Sequence, residues 1–339
     1  MRAALIGLGM VSRTYASAIS NSNRVSLGLV YARRPETRDA FVHAYPELDA
    51  IAADTVATIA QDPKTDFVIL CTPPNARAEI TAQLVAAGKP ILMEKPVERT
   101  LAAATALVTD CERAQVPLGI VLQHRARPIL TDLRREVAQL GALHMAEVNI
   151  PWWRPQSYYD APGRGSYDRD GGGVLINQAI HTLDLMLTLT GPVTEVSAMT
   201  ATTGFHRMEA EDFTCAGLRF ANGAIGQLFA TTASFPGRGE TITLHCQHGS
   251  AHLGAGLVQI DRQDGSSQTF GQSAASGAGA DPMAFTSDWH RAVIEDFADG
   301  LRDLRPPLVP GRSALAVHRL IEALERAGDT GTTVAVKDT

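Results

Sequence analysis

One pattern constrains this chain more than any other. Between residues 1 and 122, five short apolar runs, at 3–6, 25–30, 67–71, 90–93 and 118–122, are separated by stretches of helical character, including the alanine-rich segments 78–87 and 101–114. Runs that are apolar throughout belong to strands buried on both faces, and helices between such strands make the crossovers of a parallel, doubly wound sheet. The punctuation agrees, since Gly88-Lys89-Pro90 closes one helix and Thr100 stands as an N-cap before Leu101. Residues 1–122 therefore read as one α/β domain.

After about residue 125 the texture changes. Segments 143–150, 193–200, 213–220, 224–232 and 240–246 alternate apolar and polar residues, and Asn222-Gly223 joins two of them as a hairpin turn. Residues 123–339 are predicted as an α+β domain built on a large, open, mostly antiparallel sheet. Helical periodicity returns at 286–301 and 314–327, and the helices so predicted can pack back on the first domain. The Gly, Ser and Ala content of 263–281 predicts a surface loop.

Composition narrows the function classes. A chain of 339 residues exceeds what one core usually supports, and 45% hydrophobic with 19% charged residues is ordinary for globular proteins. A net charge of −6 supplies no basic stripe for a phosphate backbone, so nucleic acid is excluded as the expected partner and a small molecule takes its place. The four cysteines, Cys71, Cys111, Cys215 and Cys246, form no C-x-x-C pair, which fits reduced thiols in the cytoplasm. The opening MRAALIGLGMV is broken by Gly7 and Gly9 and reads as strand and turn, not as a signal peptide. No apolar run reaches the roughly 18 residues of a membrane span, so no membrane partner is expected.

The first strand leads directly into Gly7-Leu8-Gly9-Met10-Val11-Ser12 at the start of a helix. Glycines there let the backbone approach a pyrophosphate, whose charge the free N–H groups of a helix start favour. This is the dinucleotide fingerprint of a Rossmann domain, with Ser12 where a third Gly or Ala is usual. An Asp or Glu at the end of the second strand would bind the ribose 2′-OH of NAD, but the stretch here is Val30-Tyr31-Ala32-Arg33-Arg34-Pro35. Two guanidiniums suit a 2′-phosphate, so NADP is favoured over NAD. Two more strand ends carry Cys71-Thr72-Pro73-Pro74-Asn75 and Met93-Glu94-Lys95-Pro96.

Together with the first-strand glycines, these motifs resemble the glucose-fructose oxidoreductase, inositol dehydrogenase and rhizopine-catabolism (Gfo/Idh/MocA) family, whose Glu-Lys-Pro motif falls on Glu94, Lys95 and Pro96. A second block extends the resemblance over nearly the whole chain. Gly171-Gly172-Gly173-Val174-Leu175-Ile176-Asn177-Gln178-Ala179-Ile180-His181 is similar to the family's glycine run followed by D-x-x-x-H on a helix, and Gln123-His124-Arg125-Ala126-Arg127-Pro128 to its domain-linking segment. The resemblance implies Lys95 and His181 as catalytic groups, with Asn177 beside His181 on one helix face. It places Gly7, Gly9, Met10, Val11, Ala32, Arg33, Arg34, Thr72, Pro73, Pro74, Asn75, Glu94, Lys95 and Gln123 around the cofactor. It also implies a homodimer or homotetramer formed through the open face of the second sheet.

The implied chemistry passes a hydride between nicotinamide and the secondary alcohol or ketone of a sugar, polyol or sugar acid, while a base handles the hydroxyl proton. Imidazole titrates near neutrality, so His181 suits the base, and Lys95 can hold the oxygen or share the proton. Asn177 departs from the pattern, because many members carry Asp there and an amide cannot stabilise an imidazolium by charge. The segment Pro151-Trp152-Trp153-Arg154-Pro155-Gln156-Ser157-Tyr158-Tyr159 offers aromatic faces for a sugar, and Arg154, Arg164 and Arg169 offer donors for hydroxyls or an acid group. Trp153, Arg154, Arg164 and Asn177 are thus the predicted substrate contacts. The same aromatic cluster can instead cement a domain or subunit contact. His245, Cys246, His248 and His252 match no metal spacing, and no metal is expected. Two other readings compete: a cycle that oxidises and re-reduces a sugar with tightly bound NAD, as a glycosidase or epimerase would, and a dinucleotide-binding sensor without catalysis.

Overall fold

A computed structural model describes residues 1–272, 278–281, 283 and 285–337. The chain forms two compact units, one of residues 1–126 and 287–315, the other of residues 127–286 and 316–339.

In the first unit six strands, β1 (Arg2–Ile6), β2 (Ser26–Tyr31), β3 (Ile51–Ala52), β4 (Phe67–Leu70), β5 (Ile91–Glu94) and β6 (Leu118–Val121), form a sheet in the order β3-β2-β1-β4-β5-β6. Every pairing is parallel. The helices α1 (Ser12–Ser20), α2 (Pro35–Ala44), α3 (Val56–Gln61), α4 (Arg77–Ala86) and α5 (Leu101–Arg113) supply the crossovers. The apolar runs became strands because both faces are covered: Phe67, Val68, Ile69 and Leu70 are all 0% exposed. Thr100 caps α5, its Oγ1 accepting from the Ala103 amide at 3.2 Å. From the far end of the chain α9 (Asp288–Asp303) joins this core, with Phe297 edge-on to Phe67 at 5.4 Å. Burying one such ring contributes about 2–3 kcal/mol. Strand order reverses between β1 and β4, which is where ligands bind in open sheets of this kind.

The second unit carries a nine-stranded sheet of β7 (Leu143–Pro151), β8 (Val193–Ala201), β9 (Phe213–Phe220), β10 (Ile225–Thr231), β11 (Thr241–Cys246), β12 (Gly249–Gly254), β13 (Leu257–Arg262), β14 (Ser267–Gly271) and β15 (Val334–Ala335). Its order is β14-β13-β12-β11-β7-β10-β9-β8-β15, antiparallel but for the β7–β10 pair. The hairpin at Asn222-Gly223 joins β9 to β10 as its dipeptide dictates. Helices α6 (Leu130–Gln139), α7 (Gln156–Tyr159), α8 (Ile180–Thr190) and most of α10 (Gly311–Thr330) complete the unit. One sheet face is closed by alternate residues such as Ala146, Val148, Ile150, Leu228 and Ala230, all 0% exposed.

Two expectations need correction. The segment 263–281 is not all loop, because Ser267–Gly271 pairs with β13 as an edge strand; residues 273–277 of it lie outside the described residues. The stretch Leu175–Ala179 is a π-helical turn, so Asn177 and His181 do not share one regular α-helix. A π turn inserts a residue into the helical ladder, here just behind a glycine run packed against its neighbour.

Candidate functional site

In the first unit the predicted cofactor residues gather at the carboxyl ends of β1, β2, β4 and β5. Gly7 has φ +99°, and its amide donates to the Tyr31 carbonyl at 2.9 Å. A Cβ on Gly7 would lie 2.7 Å from Cys71 C and from Thr72 N, so the turn after β1 presses against the turn after β4. Gly9 is the opposite case, because a Cβ there would meet no atom of the chain within 4 Å. Three residues on, α1 begins, with the Ser12 amide and hydroxyl both donating to the Gly9 carbonyl at 3.1 and 2.7 Å. Met10 and Val11 stand at that helix start, whose first amides have no acceptor within the helix. Open space beside Gly9 at a helix start fits a pyrophosphate, and so fits the dinucleotide that the fingerprint implies.

Ala32, Arg33 and Arg34 follow the last residue of β2, and both arginines are exposed. Arg38, one turn further, is spent on structure: its Nη1 donates to the Ala53 carbonyl at 2.6 Å. Thr72, Pro73, Pro74 and Asn75 lead through a 3-10 turn into α4. Gln123 lies buried in the turn after β6.

Two groups that bind the turns together were not legible in the sequence. Arg77, 2% exposed, donates from Nε and Nη2 to the Thr72 carbonyl at 3.0 and 2.8 Å. Its Nη1 donates to the carbonyls of Glu94 and Pro96, and Nη2 lies 3.5 Å from the Lys95 carbonyl. Burial pulls its pKa down to about 10 against the attraction of Glu94. Glu94 in turn accepts from the Tyr15 hydroxyl at 2.8 Å and from the Lys95 amide at 3.0 Å, with His290 Nε2 at 3.9 Å. Burial holds His290 down at about 4, so its ring is neutral at physiological pH, and burial with Glu94 raises the Tyr15 phenol. An Arg opening a helix and a His near another helix start look solvated in sequence; only the tertiary fold encloses them.

In the second unit Gly173 packs so tightly that a Cβ would overlap the Glu211 carbonyl oxygen at 1.7 Å. The Glu211 carboxylate accepts from the amides of Gly173 and Leu175, each at 3.0 Å. Asn177 closes the other side, its Nδ2 donating to the carbonyls of Gly172 at 2.7 Å and Gly173 at 3.1 Å. The helix start carrying His181, itself 8% exposed, is therefore gripped through both its amides and its carbonyls. Burial raises the Glu211 carboxyl to about 7 and, with Glu211 beside it, the Glu325 carboxyl to about 8.

The four predicted substrate contacts separate. Arg164 and Asn177 line one pocket with Tyr158, Tyr159, Asp170 and Met208, and the Arg164 guanidinium lies 4.5 Å over the Tyr158 ring and donates to its hydroxyl at 2.6 Å. Arg154 is 2% exposed and donates to the carbonyls of Trp153 and Gly279, stacked 5.1 Å over Trp152. Trp153 meets Phe205 and Phe235 edge-on at 5.9 and 5.5 Å. Arg169 turns to the Pro162 carbonyl at 2.9 Å. His245 is engaged by Ser250 and Glu147, and among the described residues no three His, Cys, Asp or Glu converge as metal ligands. Among the described residues no helix is long and apolar enough to cross a membrane.

Comparison with known proteins follows the same division. Residues 1–121 match the model of the oxidoreductase family with an NAD-binding Rossmann fold, and residues 134–252 match the GFO/IDH/MocA C-terminal domain. The rhizopine catabolism protein MocA of Rhizobium meliloti is 29% identical over 196 residues, 56% of this chain and 57% of its own. The chain thus spans less than two thirds of that relative's length, whereas D-apiose dehydrogenase of Paraburkholderia graminis matches over 99% of this chain and 90% of its own at 24% identity. Among solved structures, the WlbA dehydrogenase of Bordetella pertussis, in complex with NADH and UDP-GlcNAcA, superposes with a TM-score of 0.85 at 27% identity, covering 100% of this chain and 98% of that one. The three strand-end turns, the glycine run with its histidine and both domain matches agree, and the chain belongs to the Gfo/Idh/MocA family of oxidoreductases.

Proposed function

We propose that this protein is an NAD(P)-dependent dehydrogenase that moves a hydride between the nicotinamide and a secondary alcohol or ketone of a sugar acid, within the wider class of sugars and polyols. The observation that carries the reading is the convergence at one sheet edge of Gly7, the Thr72-Pro73 turn and the Glu94-Lys95 turn, tied by Arg77 and by the contact of Gly7 with Cys71. The nicotinamide, when bound, supplies the hydride acceptor or donor. The chain's own residues do the rest. His181 takes the hydroxyl proton, and Lys95 holds the oxygen whose charge changes. Asn177 acts by fixing the turn before His181, since its amide nitrogen is committed to the carbonyls of Gly172 and Gly173.

The sugar-acid assignment rests on Arg164, which among the described residues is the one guanidinium lining the pocket that Asn177 also lines. It is supported by WlbA, whose complex holds a sugar nucleotide, UDP-GlcNAcA. Arg154, buried on main-chain carbonyls, shapes the aromatic loop instead of touching substrate. For the cofactor, the exposed Arg33 and Arg34 and the lack of a carboxylate at the end of β2 favour NADP. The test is a survey of sugars, polyols, uronates and their keto forms, followed at the reduced-nicotinamide absorbance band with NADH and NADPH. Turnover of uronates that drops at least about tenfold in Arg164→Ala, with neutral sugars little affected, supports the assignment. Equal turnover of neutral and acidic sugars by both proteins contradicts it.

A further inference from the structure

We infer that Arg77 is a positioning residue that sets where the Lys95 side chain and the Thr72-Pro73 turn stand, so that cofactor binding and proton handling depend on one buried guanidinium. The inference rests on the reading of Lys95 as a group of the reaction. Guanidinium offers five N–H donors in a rigid fork. Here every acceptor of that fork is a main-chain carbonyl: Thr72 on one turn, and Glu94, Lys95 and Pro96 on the other. The two turns leave neighbouring parallel strands, β4 and β5, and Arg77 bridges them. An apolar residue could fill the same volume without desolvating a charge, so the contribution of Arg77 is its donor pattern.

The Lys95 peptide shows what the clamp does. Its amide is held by the Glu94 carboxylate at 3.0 Å, and its carbonyl lies 3.5 Å from Arg77 Nη2. Buried charges of opposite sign thus grip the peptide from both ends, and Tyr15 fixes the anionic one through a 2.8 Å hydrogen bond. The backbone from which the Lys95 ammonium departs is set before any ligand arrives, which is how a site avoids ordering itself at the moment of reaction. Lysine cannot substitute for this fork. It carries one ammonium, and three donors on a single nitrogen cannot span two turns.

Arg77→Lys, which keeps the charge and most of the stem, is the decisive variant. NADH and NADPH binding is measured by nicotinamide fluorescence, which needs no substrate, and turnover is measured separately. The expected result is a dinucleotide Kd at least about tenfold higher, with kcat lowered by at least the same factor while the sugar KM stays within about twofold. In Arg77→Ala, added guanidinium ion is expected to recover part of both losses, whereas sodium chloride at equal ionic strength recovers none. A Kd and kcat within about twofold of the parent in Arg77→Lys overturn the inference, as does a loss confined to the sugar KM. If the parent itself binds dinucleotide but turns over no sugar, the proposed reaction fails while the Kd comparison still decides the clamp.

Discussion

The two glycines of the first turn are alike in sequence and unlike in the fold, which makes a paired substitution informative. At Gly7 alanine must accept φ +99° and place its Cβ 2.7 Å from two backbone atoms of the neighbouring turn. The left-handed conformation costs about 1–2 kcal/mol, and displacing packed backbone adds about 1–3. A loss of about 2–5 kcal/mol in a unit of this size lowers the melting midpoint by roughly 5–15 °C. At Gly9 the new methyl meets nothing of the chain, and the backbone is outside the left-handed region. Gly9→Ala is therefore expected to melt within about 2 °C of the parent. Its methyl nevertheless occupies the space where the backbone would approach a pyrophosphate, so the NADPH Kd rises at least about tenfold, or 1.4 kcal/mol. Scanning calorimetry without ligand and fluorescence titration with NADPH read the two effects separately. A Gly9→Ala protein that melts as low as Gly7→Ala, or that binds NADPH like the parent, refutes the reasoning.

Asn177→Asp replaces an amide donor to the Gly172 and Gly173 carbonyls with an acceptor, which costs about 2 kcal/mol; an unchanged melting midpoint contradicts this. The buried Glu211 and Glu325 carboxyls titrate at about 7 and about 8, so the folded chain keeps protons that the unfolded chain has lost above about 4.3. The stability they contribute is complete below that value and disappears as pH rises through about 7 and 8, so the melting midpoint falls over this range. Glu325→Gln should flatten that slope, and an unaltered slope in a pH series of melts contradicts the assignment. Arg33→Ala is expected to weaken NADPH binding at least about tenfold relative to NADH; an unchanged ratio returns preference to NAD.

What the sequence disclosed and what it withheld divide along physical lines. Strand ends of a parallel sheet are fixed by topology, so Gly7, Thr72 and Glu94 could be assigned to one edge from apolar runs and punctuation alone. The hairpin at Asn222-Gly223 was equally legible, because its dipeptide suits only a few turn geometries. The strands Gly249–Gly254 and Ser267–Gly271 were not. Glycine, serine and polar residues weaken their propensity, and β14 is an edge with few buried side chains. The π turn depends on packing of Gly173 against Glu211, two residues far apart in the chain. Arg77, Tyr15, Glu211 and His290 were missed for the same reason: a polar side chain in the first turn of a helix, or in Glu211's case just before a strand, reads as solvated until the fold buries it. Asn177 was read as a departure from the family's Asp, and its hydrogen bonds to the glycine run give that departure a structural role.

The central claim is hydride transfer between a sugar carbon and the nicotinamide, and isotope transfer tests it most directly. The protein is incubated with oxidised dinucleotide and a carbon-perdeuterated form of the sugar that proves active, and the reduced dinucleotide is weighed by mass spectrometry. One deuterium per reduced nicotinamide is expected with the parent, and loss of that product in both Lys95→Ala and His181→Ala. Sugar consumed without deuterium accumulating on the dinucleotide, or labelling that persists in both variants, contradicts the account.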